Sequence, residues 1–316
     1  MSGVEAYLVF FLCQALIFGL VCLGLNLQWG FAGLFNVGVV GFFAVGAYAV
    51  AILCGPAAAE RVGGFDVPVP LGFLGAMLAA GLAALLIGLP TLRLREDYLA
   101  IATFGIAVTI QLVALNFESL TGGTHGRVSI PRPLAGLFRD PVAANLFFLA
   151  MTAGIVGLAY WALERMVRSP WGRVLRAIRE DETAAVSLGK NAFAYRLQAF
   201  VIGAMLMGLG GGLHASFIGF VSPDDALPTL TFQIWVMLIV GGSGNNKGAL
   251  IGAVAVWALW SFSGWFMASV LPSQFQVRAG ALQVILIGLV LALVLLLRPR
   301  GLIGEETVVS RGAAAP

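Results

Sequence analysis

ERMVRSPWGRVLRAIREDETAAVSLGKNAFAYR, residues 164–196, is a charged stretch set in a chain that is otherwise close to continuous apolar sequence. Seven of the chain's 18 Lys and Arg residues lie in it (Arg165, Arg168, Arg173, Arg176, Arg179, Lys190 and Arg196), interleaved with Glu164, Glu180, Asp181 and Glu182. Lys and Arg concentrate in short loops on the cytoplasmic side of membrane proteins. The stretch therefore reads as a cytoplasmic loop between two spans, and it orients everything on either side.

Outward from this loop the composition settles the class. The chain is 60% hydrophobic and only 10% charged, against about 25% charged in soluble domains. Runs at 6–25, 34–54, 71–89, 99–117, 144–163, 197–217, 249–266 and 281–297 each approach the roughly 20 residues that cross about 30 Å of hydrocarbon, and a shorter run lies at 232–240. The expected fold is all-α, a polytopic membrane helical bundle of about eight to ten spans with broken or re-entrant segments. Residues 1–300 form one transmembrane domain in this reading, with 164–196 as its cytoplasmic loop and the small, polar stretch 301–316 as a flexible cytoplasmic tail.

Counting spans from a cytoplasmic 164–196 puts 221–230, with Asp224 and Asp225, outside, and the tail with Arg298, Arg300 and Arg311 inside. It also puts Arg93 and Arg95 inside and 119–143 outside, where Arg127, Arg132 and Arg139 run against the positive-inside rule. Further back, the count places the N-terminus outside unless 26–41 changes parity. That stretch, with Asn26, Gln28, Gly30, Gly33, Asn36, Gly38 and Gly41, reads as a break, and irregular backbone at membrane depth survives only in protein or beside a cavity. With the short run 232–240 it is a candidate lining of a transport path; helix packing is the alternative role for its glycines, as for the GxxxG pair Gly208 and Gly212.

Several function classes are disfavoured. Basic residues at span ends are accounted for by topology, so no nucleic-acid partner is expected, while membrane lipid is. Cys13, Cys22 and Cys54 lie in or beside apolar runs without metal-ligand spacing. Glu5, with no Lys or Arg before it, speaks against a cleavable signal peptide. The turn GGSGNNKG at 241–248 lacks the Gly-Lys-Ser/Thr ending of a phosphate-binding loop. No His/Glu cluster and no Ser-His-Asp arrangement is recognisable, so no catalytic residue, metal or cofactor is assigned. His214 is the one clear intramembrane candidate for a proton relay, a thin basis for an ion-coupled carrier; hydrogen-bonded packing is its alternative.

Within the charged loop, Ser169 followed by Pro170 reads as a helix start and Gly189 as its stop. Trp171, Leu175, Ile178 and Ala185 recur on one face, with Arg173, Arg176 and Glu180 opposite. Such a helix either lies on lipid headgroups or docks into a partner. The stretch ETAAVSLG at 182–189 resembles the cytoplasmic coupling loop of ABC import permeases, in the looser form of amino-acid and sugar permeases.

The resemblance then extends along the chain: LNLQWGFAGL at 25–34, LRLREDYLAI at 92–101, SLTGGTHG at 119–126, RAIREDE at 176–182, and GGSG at 241–244 with Gly248 and Gly252 are similar, in order, to branched-chain amino acid permeases of the LivM type. The chain departs from the family pattern at Val39 and at His125, where Asn is frequent, and both positions bear on substrate choice.

The resemblance implies a multi-pass permease subunit of an ATP-driven importer in the bacterial plasma (inner) membrane, not itself an enzyme. Two cytoplasmic ABC ATPase subunits, a second related permease subunit and an extracytoplasmic substrate-binding protein are the implied partners. Arg176, Arg179, Glu180, Asp181, Glu182, Ala184, Ala185 and Gly189 are the expected ATPase-coupling residues, and Asn26, Gln28, Asn36, Thr121, Thr124 and His125 the candidates for the substrate pathway. At the last three, beside glycines, a turn role competes. The rival readings are a permease for urea or another small polar solute, a self-contained ion-coupled carrier, and a membrane scaffold without transport.

Overall fold

A computed structural model of the chain describes residues 3–57, 62–134, 140–270, 279–297 and 301–305. Arg139, Arg298, Arg300, Arg311 and residues 306–316 of the expected tail lie outside the described residues. The transverse helices are α1 (Gly3–Asn26), α2 (Val39–Cys54), α3 (Val69–Thr91), α4 (Glu96–Asn116), α6 (Pro141–Arg168), α9 (Ala192–Ile218), α10 (Pro228–Gly241), α11 (Asn246–Val270) and α12 (Ala279–Leu297). Shorter pieces are α5 (Glu118–Thr121), α7 (Pro170–Glu180) and α8 (Glu182–Ser187), and the strands β1 (Arg127–Val128) and β2 (Phe220–Val221).

Among the described residues six helices are long and apolar enough to cross a bilayer, while α2 and α10 are shorter apolar helices of 16 and 14 residues. At 1.5 Å per residue these two reach about 24 and 21 Å, short of the hydrocarbon thickness. Both meet non-helical backbone inside the bundle, which explains their length.

The first such place is the expected break. α1 passes into a π-helical turn, Leu27–Phe31, and the chain runs irregularly to Gly38. The backbone groups freed there are satisfied locally and by neighbours, as burial requires. Leu34 N–H donates to the Gln28 carbonyl at 2.8 Å, and Gly38 N–H to Asn36 Oδ1 at 2.8 Å. Val37 N–H donates to Thr103 Oγ1 on α4 and Val40 N–H to Thr231 Oγ1 on α10, at 3.0 and 3.1 Å. The open N-terminus of α2 is thus capped by side chains from two other helices.

α9 is the central helix, packed on α1, α2 and α3. Its glycines make this possible: a Cβ at Gly211 would overlap the Phe43 carbonyl, and Gly203 and Gly24 face each other's carbonyls. Gly208 and Gly212 lie against Ala76 and Ala80 of α3 and Val50 of α2, so this GxxxG pair packs helices. Phe43, Phe200, Met207 and Leu213 fill the space around it and are fully buried.

α1 and the break meet the charged segment at one end of the bundle, because Arg179 of α7 reaches the Gly30 carbonyl. α2 leaves for the other end, where Arg127 binds the Ala51 carbonyl at 3.3 Å. The break therefore turns the chain back without changing parity, and the start of α1 and the charged segment stand at opposite ends. Arg127 also donates to the Leu120 carbonyl at 2.9 Å and to the Val62 carbonyl. Arg132 binds Asn145 Oδ1 at 2.8 Å and the Phe217 carbonyl at 2.7 Å. These two arginines, anomalous for a positive-inside count, are tertiary clamps beside the β1–β2 ladder.

Candidate functional site

The charged segment folds back as two helices. Pro170 occupies the first turn of α7, while the Ser169 hydroxyl donates to the Met166 carbonyl at 2.6 Å and leaves α7 without a side-chain cap. Leu175 and Ile178 are fully buried, as their spacing predicts. The expected single helix to Gly189 is broken at Asp181, whose backbone is extended (φ −150°, ψ 99°) and whose carboxylate accepts from Ala184 N–H at 3.0 Å. An aspartate able to capture free amides competes with helix continuation, and here it starts α8. α8 stops at a left-handed Gly189 (φ 77°), where Gly189 N–H returns to Val186 O and Lys190 N–H to Ala185 O, a glycine-terminated helix end. Asn191 then caps α9 through Ala194 N–H at 3.1 Å.

The two helices sort the expected coupling residues by direction. Glu180, Asp181, Glu182, Ala184 and Gly189 are exposed, and Arg176 is half-buried with a long 3.5 Å contact to the Val167 carbonyl. Ala185 is not available at the surface: it packs with Ile178 and Ala192, 4% exposed. Arg179 also points inward, to the Gly30 carbonyl and to Glu305. The outward side is carried instead by Val186 of α8 and by Leu188 just past its end, 51% and 80% exposed. Sequence reasoning passed over both; two apolar side chains in a short capped segment were the available signal.

Asn26, Gln28 and Asn36 are fully buried and belong to two hydrogen-bonded groups. Asn26 donates to Asn246 Oδ1 at 3.0 Å and accepts from Gly244 N–H at 2.8 Å, which fastens the end of α1 to the α10–α11 turn. Asn246 continues to Glu164 at 3.0 Å. Gln28 donates to the Phe200 carbonyl at 2.7 Å and accepts from Asn36 Nδ2 at 2.8 Å, and the Asn36 carbonyl accepts from Trp235 Nε1 at 3.1 Å. The Gln28–Asn36 group thus holds an aromatic trio, Trp29, Phe35 and Trp235, with ring centroids 4.9–5.4 Å apart. These rings wall a cavity of about 830 Å³ with Thr229, Phe232 and Gln233. The break and the short helix, two separate features of the sequence, meet at this cavity, while the three amide side chains stand behind its wall.

Thr121 and its neighbours lie at the other end. The Thr121 hydroxyl is 2.6 Å from the Ala114 carbonyl and accepts from Gly123 N–H at 3.2 Å, closing a turn that Gly122 (φ 83°) requires. Thr124 and His125 are exposed in the 3-10 turn Gly123–His125. His214 is held by Gln14 Nε2 at 3.0 Å and packs against Phe43 with the rings tilted by 52°. Among the described residues no group of His, Cys, Asp or Glu could hold a metal ion.

A polytopic helical bundle with a broken first span and a capped helix hairpin at its arginine-rich end defines a membrane permease. The family model described as "Branched-chain amino acid transport system / permease component" matches residues 7–295, and the chain belongs to that family. It is 30% identical to the "High-affinity branched-chain amino acid transport system permease protein LivM" of Escherichia coli (strain K12), over 91% of this chain and 68% of that one. A "Probable branched-chain amino acid transport permease protein LivM" of Methanocaldococcus jannaschii is 28% identical over 92% of this chain and 91% of its own. The LivH permease of Escherichia coli (strain K12) is 26% identical, with 92% of each chain covered. No solved structure matches. The chain is a permease subunit of the ABC importer type, a multi-pass membrane protein.

Proposed function

We propose that this permease imports branched-chain amino acids across a bacterial plasma membrane, with the arginine-rich end in the cytoplasm. An extracytoplasmic binding protein delivers substrate to the end that carries Thr124 and His125. A second, LivH-like permease completes the path; LivM and LivH relatives of one organism both align with this chain, which supports a pair of related subunits. Two ATPase subunits bind below.

The observation that carries the reading is α8, a short helix capped at both ends that presents Ala184 and Val186, with Leu188 just past its end, outward from a charged surface. Glu180 and Asp181 precede it and Glu182 begins it, with Arg176 one turn back on α7. Closure of the ATPases moves α8, and it shifts the transport equilibrium because the ATPase groove binds one permease state better than the other. The cavity walled by Trp29, Phe35 and Trp235 is apolar enough for an aliphatic side chain and lies beside the break.

The test is uptake into vesicles that hold this chain, its partner permease, two ATPases and the binding protein, with and without internal ATP. ATP-dependent accumulation of leucine, isoleucine or valine that vanishes when this chain is omitted is the expected result. An intact, ATP-hydrolysing complex that leaves these amino acids outside would reassign the substrate to urea or another small polar solute. Transport by this chain alone would make it a self-contained carrier.

A further inference from the structure

We propose that Arg179 is a positioning residue that links α7 to the break after α1, and that residues 301–305 form a strap whose Glu305 holds the Arg179 guanidinium in place. The inference rests on the coupling reading above for its purpose, and on contacts for its geometry. Arg179 leaves α7 toward the bundle. One guanidinium nitrogen donates to the Gly30 carbonyl, inside the π-turn. Another donates to both Glu305 oxygens, at 2.9 and 3.1 Å. Its stem lies against Gly33, where a Cβ would come within 3.0 Å of Arg179 Cγ. The side chain is therefore threaded into the irregular backbone.

Glu305 is itself anchored. Leu302 N–H donates to the Val240 carbonyl at 2.8 Å and Ile303 N–H to the Gly241 carbonyl at 3.0 Å, while Asn245 Nδ2 donates to the Gly304 carbonyl at 3.2 Å. The first residues of the expected flexible tail are thus laid along the end of α10 and the α10–α11 turn, the same turn that Asn26 binds through Gly244. Arg179 joins three elements: the helix before α8, the break that carries Trp29 and Phe35, and the strap. A displacement of α7 reaches the cavity wall through Arg179. A guanidinium suits this task, since its planar fork serves a carbonyl and a carboxylate in two directions at once, which an ammonium does not reproduce.

Arg179→Gln, Arg179→Lys and Glu305→Gln, each in the assembled complex, test the assignment. Gly33 and Leu34 N–H are bonded to the Trp29 and Gln28 carbonyls, so hydrogen exchange at these amides reports the break directly and needs no transport. All three variants are expected to speed that exchange by about threefold or more, by lowering the local opening free energy. They are also expected to cut uptake per ATP hydrolysed while the ATPases still co-purify. Unchanged exchange at Gly33 and Leu34 overturns the proposal, and so does loss of the ATPases from Arg179→Gln with normal exchange, which would place Arg179 on the ATPase surface. Should Arg179→Gln assemble poorly, Glu305→Gln, on a strap at the surface, decides alone.

Discussion

Glu182 Oε2 and Arg196 Nη1 lie 2.6 Å apart, so the first residue of α8 is tied to the start of α9. α9 is the central helix of the bundle. The pair gives a movement of α8 a direct mechanical route into the core, and Trp171 Nε1 ties α7 to the same helix through Gln198 at 2.7 Å. Glu182→Lys removes the pair and sets two cations together. It is expected to abolish uptake with normal membrane insertion; uptake at the wild-type rate would remove Glu182 from the coupling path.

Ala184 and Ala185 are adjacent, the first exposed and the second buried, and the same substitution should separate docking from folding. Ala184→Trp and Leu188→Glu are expected to weaken co-purification of the ATPases while the melting temperature stays at the wild-type value. Ala185→Trp overpacks the Ile178–Ala192 contact and is expected to destabilise the loop by about 1–3 kcal/mol. Thermal unfolding of each variant, beside the ATPase yield, distinguishes the two behaviours.

Asn26→Leu leaves Gly244 N–H and Asn246 Oδ1 without their partner inside the protein. The expected cost is about 1–3 kcal/mol per unsatisfied group, seen as lower thermal stability and greater protease access to the α10–α11 turn. Retained stability with lost transport would instead assign Asn26 to the substrate.

Gly211→Ala and Gly154→Ala form a matched pair. The first sets a methyl into the Phe43 carbonyl and should prevent normal packing of α2 on α9. The second meets nothing within 4 Å on α6 and should be neutral or stabilising by up to about 1 kcal/mol through helix propensity. Yield of folded protein after detergent extraction compares them.

His214→Gln preserves a hydrogen-bonding side chain for Gln14, and transport is expected to persist at any imposed proton gradient. Loss of uptake in a complex that assembles normally would revive a proton relay through this residue.

Much of this is legible in the sequence. Composition and run length identified a multi-span bundle, because the bilayer imposes apolar segments of set length. Pro170 and the 175/178 spacing located α7, and the polar cluster at 26–36 marked a break. The same local logic failed at Asp181: a helix through Glu180 and Glu182 satisfied the periodicity, and only the captured Ala184 amide made two shorter helices preferable. It failed also for the direction of Arg179, where two arginines three residues apart carry the same charge and differ in what lies beneath them.

Sequence alone determined the class of the protein, the charged end and the break after α1, since each follows from residue chemistry within one segment. The tertiary structure decided which polar groups meet. Asn26 finds Asn246 across 220 positions and Arg179 finds Gly30 across 149. Such pairings depend on how close two helices can approach, which the glycines of α9 and the α10–α11 pair set by bringing backbones into contact. Buried amides and guanidinium groups then take whatever partner that packing leaves within reach, because an unpaired one costs more than the pairing.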